Sequence, residues 1–164
     1  MTVFAPSSYQ EVQQMMEDAM DLSDGPVAIR WSRGKAAHVG HDEIGSGLNA
    51  RKVTTGDGRV ALVGFGQMLP AAVGAAELLA ADGIDVTIYD PRVVQPLDPS
   101  MVDDLATHDV VVSIEDGLRV GGAGAGSHYA GRNPPEFVTV ARGMPPLPPS
   151  AAAQPAFTCV RSEH

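Results

Sequence analysis

Asp90, Asp98, Glu115 and Asp116 are residues whose type and placement could do chemistry. Paired carboxylates can act as general acid and base, or ligate a hard cation. Each of the four ends an apolar run or opens a helical one. Carboxylates at such places also cap backbone N–H groups, and the sequence favours capping and turn roles. Ligand binding stays open, because open α/β sheets place their sites beyond strand C-termini. Gly64-Phe65-Gly66 stands between a strand and a helix, as a dinucleotide fingerprint would. Pro70 occupies the place of its last glycine, so a tight turn is the better reading. Gly121-Gly122-Ala123-Gly124-Ala125-Gly126 could cradle a phosphate with backbone N–H groups. No Lys-Ser or Lys-Thr follows it, and close packing of small residues is favoured.

Arg30 and Arg33 follow an apolar run and flank Ser32, with Gly34 beyond. Guanidinium groups at such a strand end suit bidentate recognition of phosphate or carboxylate, and surface ion pairing fits equally well. His38, His41, His108, His128 and His164 show no H-x-x-x-H zinc spacing, and exposed structural roles are expected. There is no G-x-S-x-G nucleophile motif. Cys159, the single cysteine, rules out an internal disulfide and any Cys-based metal cluster. The residues alone assign no catalytic, cofactor-binding or metal-ligating position.

The elements that must position these residues alternate. Residues 1–6 read as a short buried strand. Ser8 and Glu11 form the S-x-x-E pattern of a capping box, and Tyr9, Val12, Met15, Met16, Ala19 and Met20 follow at helical spacing. Asp24-Gly25-Pro26 stops that helix, and residues 27–31 form the next strand. One β-α-β unit leaves a sheet edge and an apolar face open, so residues 1–34 read as the remnant of a domain. Residues 35–58 read as a linker with a short hairpin. From Val60 a second α/β region begins. Its strands are expected at 60–66, 86–89, 110–114 and 137–140, and its helices at 69–81, 99–107 and 122–130. The helix at 69–81, almost all Ala and Leu, has no clear polar face and is expected to be deeply buried. Residues 144–164 are rich in proline and low in complexity, and are expected to form a mobile tail. The pattern predicts an α/β fold with a mostly parallel sheet.

Composition narrows the function classes. Of 164 residues, 44% are apolar but only 5% are aromatic, so the core must be built from small and aliphatic side chains. The formal net charge of −9 repels phosphate backbones and anionic lipid, which argues against nucleic-acid and membrane partners. No membrane span or signal peptide is evident, and a cytoplasmic location is expected.

Gly25-Pro26-Val27-Ala28-Ile29-Arg30-Trp31-Ser32-Arg33-Gly34, Glu43-Ile44-Gly45-Ser46-Gly47, Val60 to Pro70, Asp90 to Asp98 and Ser113 to Gly126 occur in one order and spacing. Together they resemble the transketolase superfamily of thiamine-diphosphate enzymes, most of all the C-terminal part of the 1-deoxy-D-xylulose-5-phosphate synthases. The resemblance covers about residues 1–143. It implies a three-layer sandwich at 59–143, the transketolase C-terminal-like domain, preceded by a β-α-β remnant of the pyrimidine-binding domain. It implies a transferase that condenses pyruvate with glyceraldehyde 3-phosphate on thiamine diphosphate and Mg²⁺, in isoprenoid precursor synthesis. By resemblance, Arg33 would contact the substrate phosphate. The cofactor domain and the activating glutamate are not among these residues. The expectation is therefore an inactive segment, either a subunit of a split enzyme or a truncated form. Its expected partners are a second copy, forming a dimer, or a subunit carrying the thiamine-diphosphate domains. Gln95 stands where the family usually has Lys, and the proline-rich stretch replaces a final helix. The alternative is a non-catalytic nucleotide- or protein-binding α/β module.

Overall fold

In the computed structural model, residues 1–32, 34–117, 122–124, 136–141 and 158–161 are described. Strand β1 (Thr2–Phe4) leads into helix α1 (Tyr9–Met20), which returns to strand β2 (Val27–Ile29), parallel to β1. Ser8 caps α1, its hydroxyl accepting from the Glu11 N–H at 3.1 Å. The other half of the expected capping box does not form. The Glu11 carboxylate turns inward instead, to the Gly45 N–H at 2.8 Å and to Arg92.

The larger sheet has the order β3-β5-β4-β7-β8-β9. Strands β4 (Val60–Gly64), β5 (Val86–Asp90), β7 (Val110–Glu115) and β8 (Glu136–Ala141) run parallel. The edges are β3 (Arg51–Thr54), antiparallel to β5, and β9 (Thr158–Arg161), antiparallel to β8. Successive residues of a strand face opposite sides of the sheet. Ala61, Val63, Tyr89 and Val111 therefore pack under helix α3 (Pro99–Leu105) with Met101 and Leu105. Leu62, Val86, Ile88 and Ile114 pack under helix α2 (Leu69–Ala81) with Leu69 and Ala72. The result is the expected three-layer sandwich. A separate cluster of Phe4, Met15 and Val93 holds α1 against the small sheet.

Further features differ from the sequence pattern. The 35–58 segment forms no hairpin; Arg51–Thr54 pairs with β5, because its alternating pattern fits a half-covered edge. Helix α2 is not deeply buried. Only Leu69 and Ala72 are fully covered, and Leu78 is 74% exposed; an Ala-rich helix lying on one face of a sheet covers one stripe only. Within the region read as a tail, Thr158–Arg161 form β9, with Cys159 paired to Val140. Strand β6 (Val93–Gln95) is absent from the sequence pattern. It pairs antiparallel with β1 and completes the small sheet in the order β2-β1-β6. The β-α-β unit is thus closed on one side by chain from the larger domain. The Gln95–Pro96 peptide is cis.

Candidate functional site

Parallel strands end together at one place. Ala5 and Pro6 follow β1, Arg30 follows β2, Phe65 to Gln67 follow β4, and Asp116 and Gly117 follow β7. Between them lies a cleft of about 370 Å³, lined by Ala5, Arg30, Phe65, Gln67, Glu115 and Asp116, with Gly66, Gly117 and Gly122 among its other walls. A neighbouring cleft of about 480 Å³ is lined by Ser7, Tyr9, Trp31, Lys35 and Pro70, and shares Pro6, Ser32 and Gln67. Both lie at strand C-termini, where open α/β sheets hold ligands. Gly66 has φ +55°, and a side chain there would approach the Pro6 carbonyl at 3.3 Å. That backbone turn carries the chain from β4 into α2, as the sequence reading of Gly64-Phe65-Gly66 predicts.

The cleft's polar groups hold one another. Arg30 Nη2 donates to the Asp116 carbonyl at 3.1 Å, and Gln67 Nε2 donates to Asp116 Oδ2. Glu115 is 4% exposed. Its Oε2 accepts from the Gly124 N–H at 3.2 Å, while its Oε1 is buried with no hydrogen-bond partner among the described residues. Gly124 itself is fixed by crowding, because a Cβ would fall 2.5 Å from Ser113 Oγ. Packing is thus the structural work of this glycine, as the sequence suggests. Gly121, Ala125 and Gly126 lie outside the described residues.

The four carboxylates do not converge. Glu115 and Asp116 line the cleft. Asp90 sits apart and fully buried, accepting from Ser7 Oγ at 2.6 Å and from the Arg92 N–H at 3.2 Å, with Arg51 Nη2 at 3.9 Å. Burial pushes its pKa up to about 6; the Glu11 charge adds to this, while the Ser7 hydrogen bond, Arg51 and the Arg92 N–H oppose it. Asp98 caps α3, taking the Ser100 N–H at 2.8 Å and also the Ala50 N–H at 2.8 Å. Burial raises its pKa, but hydrogen bonds from Ser100, Ala50 and Met101 outweigh that and leave it lowered.

His108 is buried and structural, its Nδ1 at 3.0 Å from the Asp104 carbonyl and its Nε2 at 3.1 Å from Thr87 Oγ1. His38 stacks on Tyr9. Arg33, His128 and His164 lie outside the described residues. Among the described residues, no three His, Cys, Asp or Glu side chains gather closely enough to hold a metal ion. The carboxylates in the strand-end cleft oppose an anionic diphosphate. The described residues therefore do not fit a metal-bound thiamine diphosphate.

Gln67 and Arg92 are the positions to which the sequence pattern assigns no role. Gln67 is signalled only by following the GFG turn. Arg92 is signalled by the Asp90-Pro91-Arg92 strand end, a break that reverses the chain into β6.

The model of the family "Transketolase, C-terminal domain" matches residues 49–133, about half of the chain. A 1-deoxy-D-xylulose-5-phosphate synthase of Parafrankia sp. (strain EAN1pec) is 36% identical over 129 residues, covering 76% of this chain and 20% of that protein. The synthase of Shewanella woodyi is 37% identical over 133 residues, covering 77% and 20%. The chain thus spans a fifth of the length of these curated relatives. Among solved structures, an inactive β4 tetramer of a split-gene transketolase has a TM-score of 0.77 at 25% identity, covering 87% of this chain and 48% of that one. A transketolase mutant from Pichia stipitis, at 17% identity and TM-score 0.59 over 73% of this chain and 19% of that one, shares the fold. No helix of the described residues is long and apolar enough to cross a membrane. Together with the three-layer sandwich, these matches show that the chain belongs to the transketolase C-terminal domain family.

Proposed function

We propose that these residues serve as the C-terminal segment of a 1-deoxy-D-xylulose-5-phosphate-synthase-type transketolase, and act as one subunit of a split enzyme. The complete transferase condenses pyruvate with glyceraldehyde 3-phosphate, for isoprenoid precursor synthesis. Its thiamine diphosphate and Mg²⁺ are held on domains outside these 164 residues, carried by a partner subunit. The segment's own work is to support the pyrimidine-binding side of that partner and the dimer, with Arg33 on the substrate phosphate. The observation that carries this reading is the likeness of 87% of the chain to one subunit type of a split-gene transketolase, itself inactive as a β4 tetramer. The identity of 36–37% to the synthases supports the choice of reaction.

The test is reconstitution. The tagged chain is used to isolate its partner from the native cell, and each component is assayed with pyruvate, glyceraldehyde 3-phosphate, thiamine diphosphate and Mg²⁺. The expected result is turnover by the assembled pair and none by this chain alone. Turnover by the isolated chain, or a pair that forms and stays inactive, would sink the proposal. In the assembled enzyme, Arg33→Ala is expected to raise KM for glyceraldehyde 3-phosphate about tenfold or more, the loss of a charge-assisted phosphate contact, while leaving KM for pyruvate little changed.

A further inference from the structure

We propose that the cleft at the ends of β2, β4 and β7 binds a small zwitterionic amino acid, its ammonium group on Glu115 and its carboxylate on Arg30. The cleft's volume of about 370 Å³ falls within the range of small-molecule sites. The decisive observation is Glu115. It lines the cleft, it is 4% exposed, one of its oxygens is committed to the Gly124 N–H, and the other is buried with no partner among the described residues. A buried acceptor left without a donor is costly, and more so when it carries charge. A ligand that brings a charged donor removes that cost, and an ammonium group suits a cleft that Asp116 also lines.

Arg30 supplies the opposite end. Its Nη2 is anchored on the Asp116 carbonyl at 3.1 Å. A guanidinium has five donors in a planar fork, so anchoring leaves donors for a carboxylate. Phe65 and Ala5 line the same cleft and offer an apolar wall for a short side chain. Gly66, Gly117 and Gly122 leave room for the ligand's backbone-sized groups. Gln67 holds the Asp116 carboxylate from the side, which keeps that group oriented while Glu115 takes the ligand. This site is separate from the expected role of Arg33, and it does not depend on the split-enzyme reading.

The experiment is calorimetric titration of the full chain at neutral pH with glycine, L-alanine and L-valine, and with ethylamine, sodium acetate and MgCl₂ as comparison probes. At least one of the amino acids is expected to bind saturably, about tenfold or more tightly than ethylamine or acetate, since each of those fills only one end of the site. Glu115→Gln and Arg30→Gln are each expected to weaken that binding about tenfold or more. Arg30 is exposed, so Arg30→Gln keeps the test decisive even where Glu115→Gln fails to fold. No saturable binding by any of the three amino acids overturns the proposal. So do ethylamine binding as tightly as they do, Mg²⁺ as the only ligand, or an affinity unchanged in Arg30→Gln or in a folded Glu115→Gln. The readout is binding to this chain alone, so its failure leaves the reconstitution assay untouched.

Discussion

Arg92 Nε donates to Glu11 Oε2 at 2.8 Å, and neither side chain reaches solvent. This pair joins α1 of the β-α-β unit to the strand end of the larger sheet, 81 residues away. The rest of the guanidinium is also committed. Nη2 donates to Asp18 Oδ2 at 3.0 Å, and Nη1 to the carbonyls of Gly47 and Asn49 at 2.9 and 3.2 Å. One side chain thus ties together α1, the 35–58 segment and the β5–β6 turn. A buried ion pair of this kind is no gain over well-packed apolar groups, but removing one partner strands the other charge.

Arg92→Ala is therefore expected to cost about 3–5 kcal/mol, since Glu11 and Asp18 would lose their cation. That is a large part of the ~5–15 kcal/mol that stabilises a typical domain. Arg92→Lys keeps the charge but cannot reach four acceptors with a fork, and should fall between Ala and wild type. The backbone adds a second arm. Arg92 has φ +57°, a conformation that costs an L-residue roughly 1–2 kcal/mol and glycine almost nothing. Arg92→Gly should thus be more stable than Arg92→Ala, against the usual order. Urea unfolding followed by circular dichroism reads all three, and an Arg92→Ala variant within about 1 kcal/mol of wild type would refute the account.

Asp90 predicts a pH dependence of unusual sign. Its pKa is raised from 3.8 to about 6, chiefly by burial. The folded state then binds more protons than the unfolded state between these values, so this group's contribution to stability falls as pH rises from about 4 to about 6, and is constant above. A rise of that size corresponds to about 3 kcal/mol as an upper bound. The charges facing it are Glu11, which pushes the pKa up, and Arg51, which pulls it down. Asp90→Asn keeps an acceptor for Ser7 and removes the titration. Relative to wild type, it should gain about 2 kcal/mol as pH goes from about 4 to about 7. Parallel denaturation curves that stay a fixed distance apart across that range would rule this out.

The alternation of strand and helix, the helix caps at Ser8 and Asp98, and the GFG turn are legible in the sequence because each is a local signal. What is not legible depends on residues far apart in the chain. The S-x-x-E pattern marks the start of α1 correctly, but local spacing does not say that Glu11 faces Arg92 rather than its own cap. Strand β6 is three residues of a Val-rich stretch after Arg92, and only pairing with β1 makes it a strand. The candidate cleft is half legible: Glu115, Asp116 and Arg30 stand out by strand-end position. Their convergence, and the place of Gln67 among them, follow from the crossover order of two sheets, which periodicity does not encode.

Asp98 stabilises two elements at once, α3 through Ser100 and the start of β3 through the Ala50 N–H. Asp98→Ala should cost about 1–2 kcal/mol for the lost cap, with about 1 kcal/mol more for the second hydrogen bond. Because its folded pKa is lowered, this stabilisation is present above the unfolded value of about 3.8 and is lost as pH falls through the folded one. Asp98→Asn, which can still cap, should recover most of the loss at neutral pH. Equal destabilisation by Asn and Ala in chemical denaturation would argue against capping.

Gly64, where β4 meets α2, and Gly74, within α2, make opposite predictions. Gly64 ends β4 where the helix approaches, and a Cβ there would meet Leu69 Cα at 2.8 Å and Leu69 N at 3.2 Å. These are backbone atoms and cannot turn aside, so Gly64→Ala must push α2 off the sheet, at a cost of about 1–3 kcal/mol for overpacking. Gly74 lies in the middle of α2, and a Cβ there would meet nothing within 4 Å. Alanine in a helix interior loses less backbone freedom on folding than glycine, so Gly74→Ala should stabilise by about 0.5–1 kcal/mol. Thermal melts of the two variants should therefore move to opposite sides of wild type. If Gly74→Ala also lowers the melting temperature, the open space above that face of α2 is filled by a second copy or a partner, and the loss should then weaken with dilution of the protein.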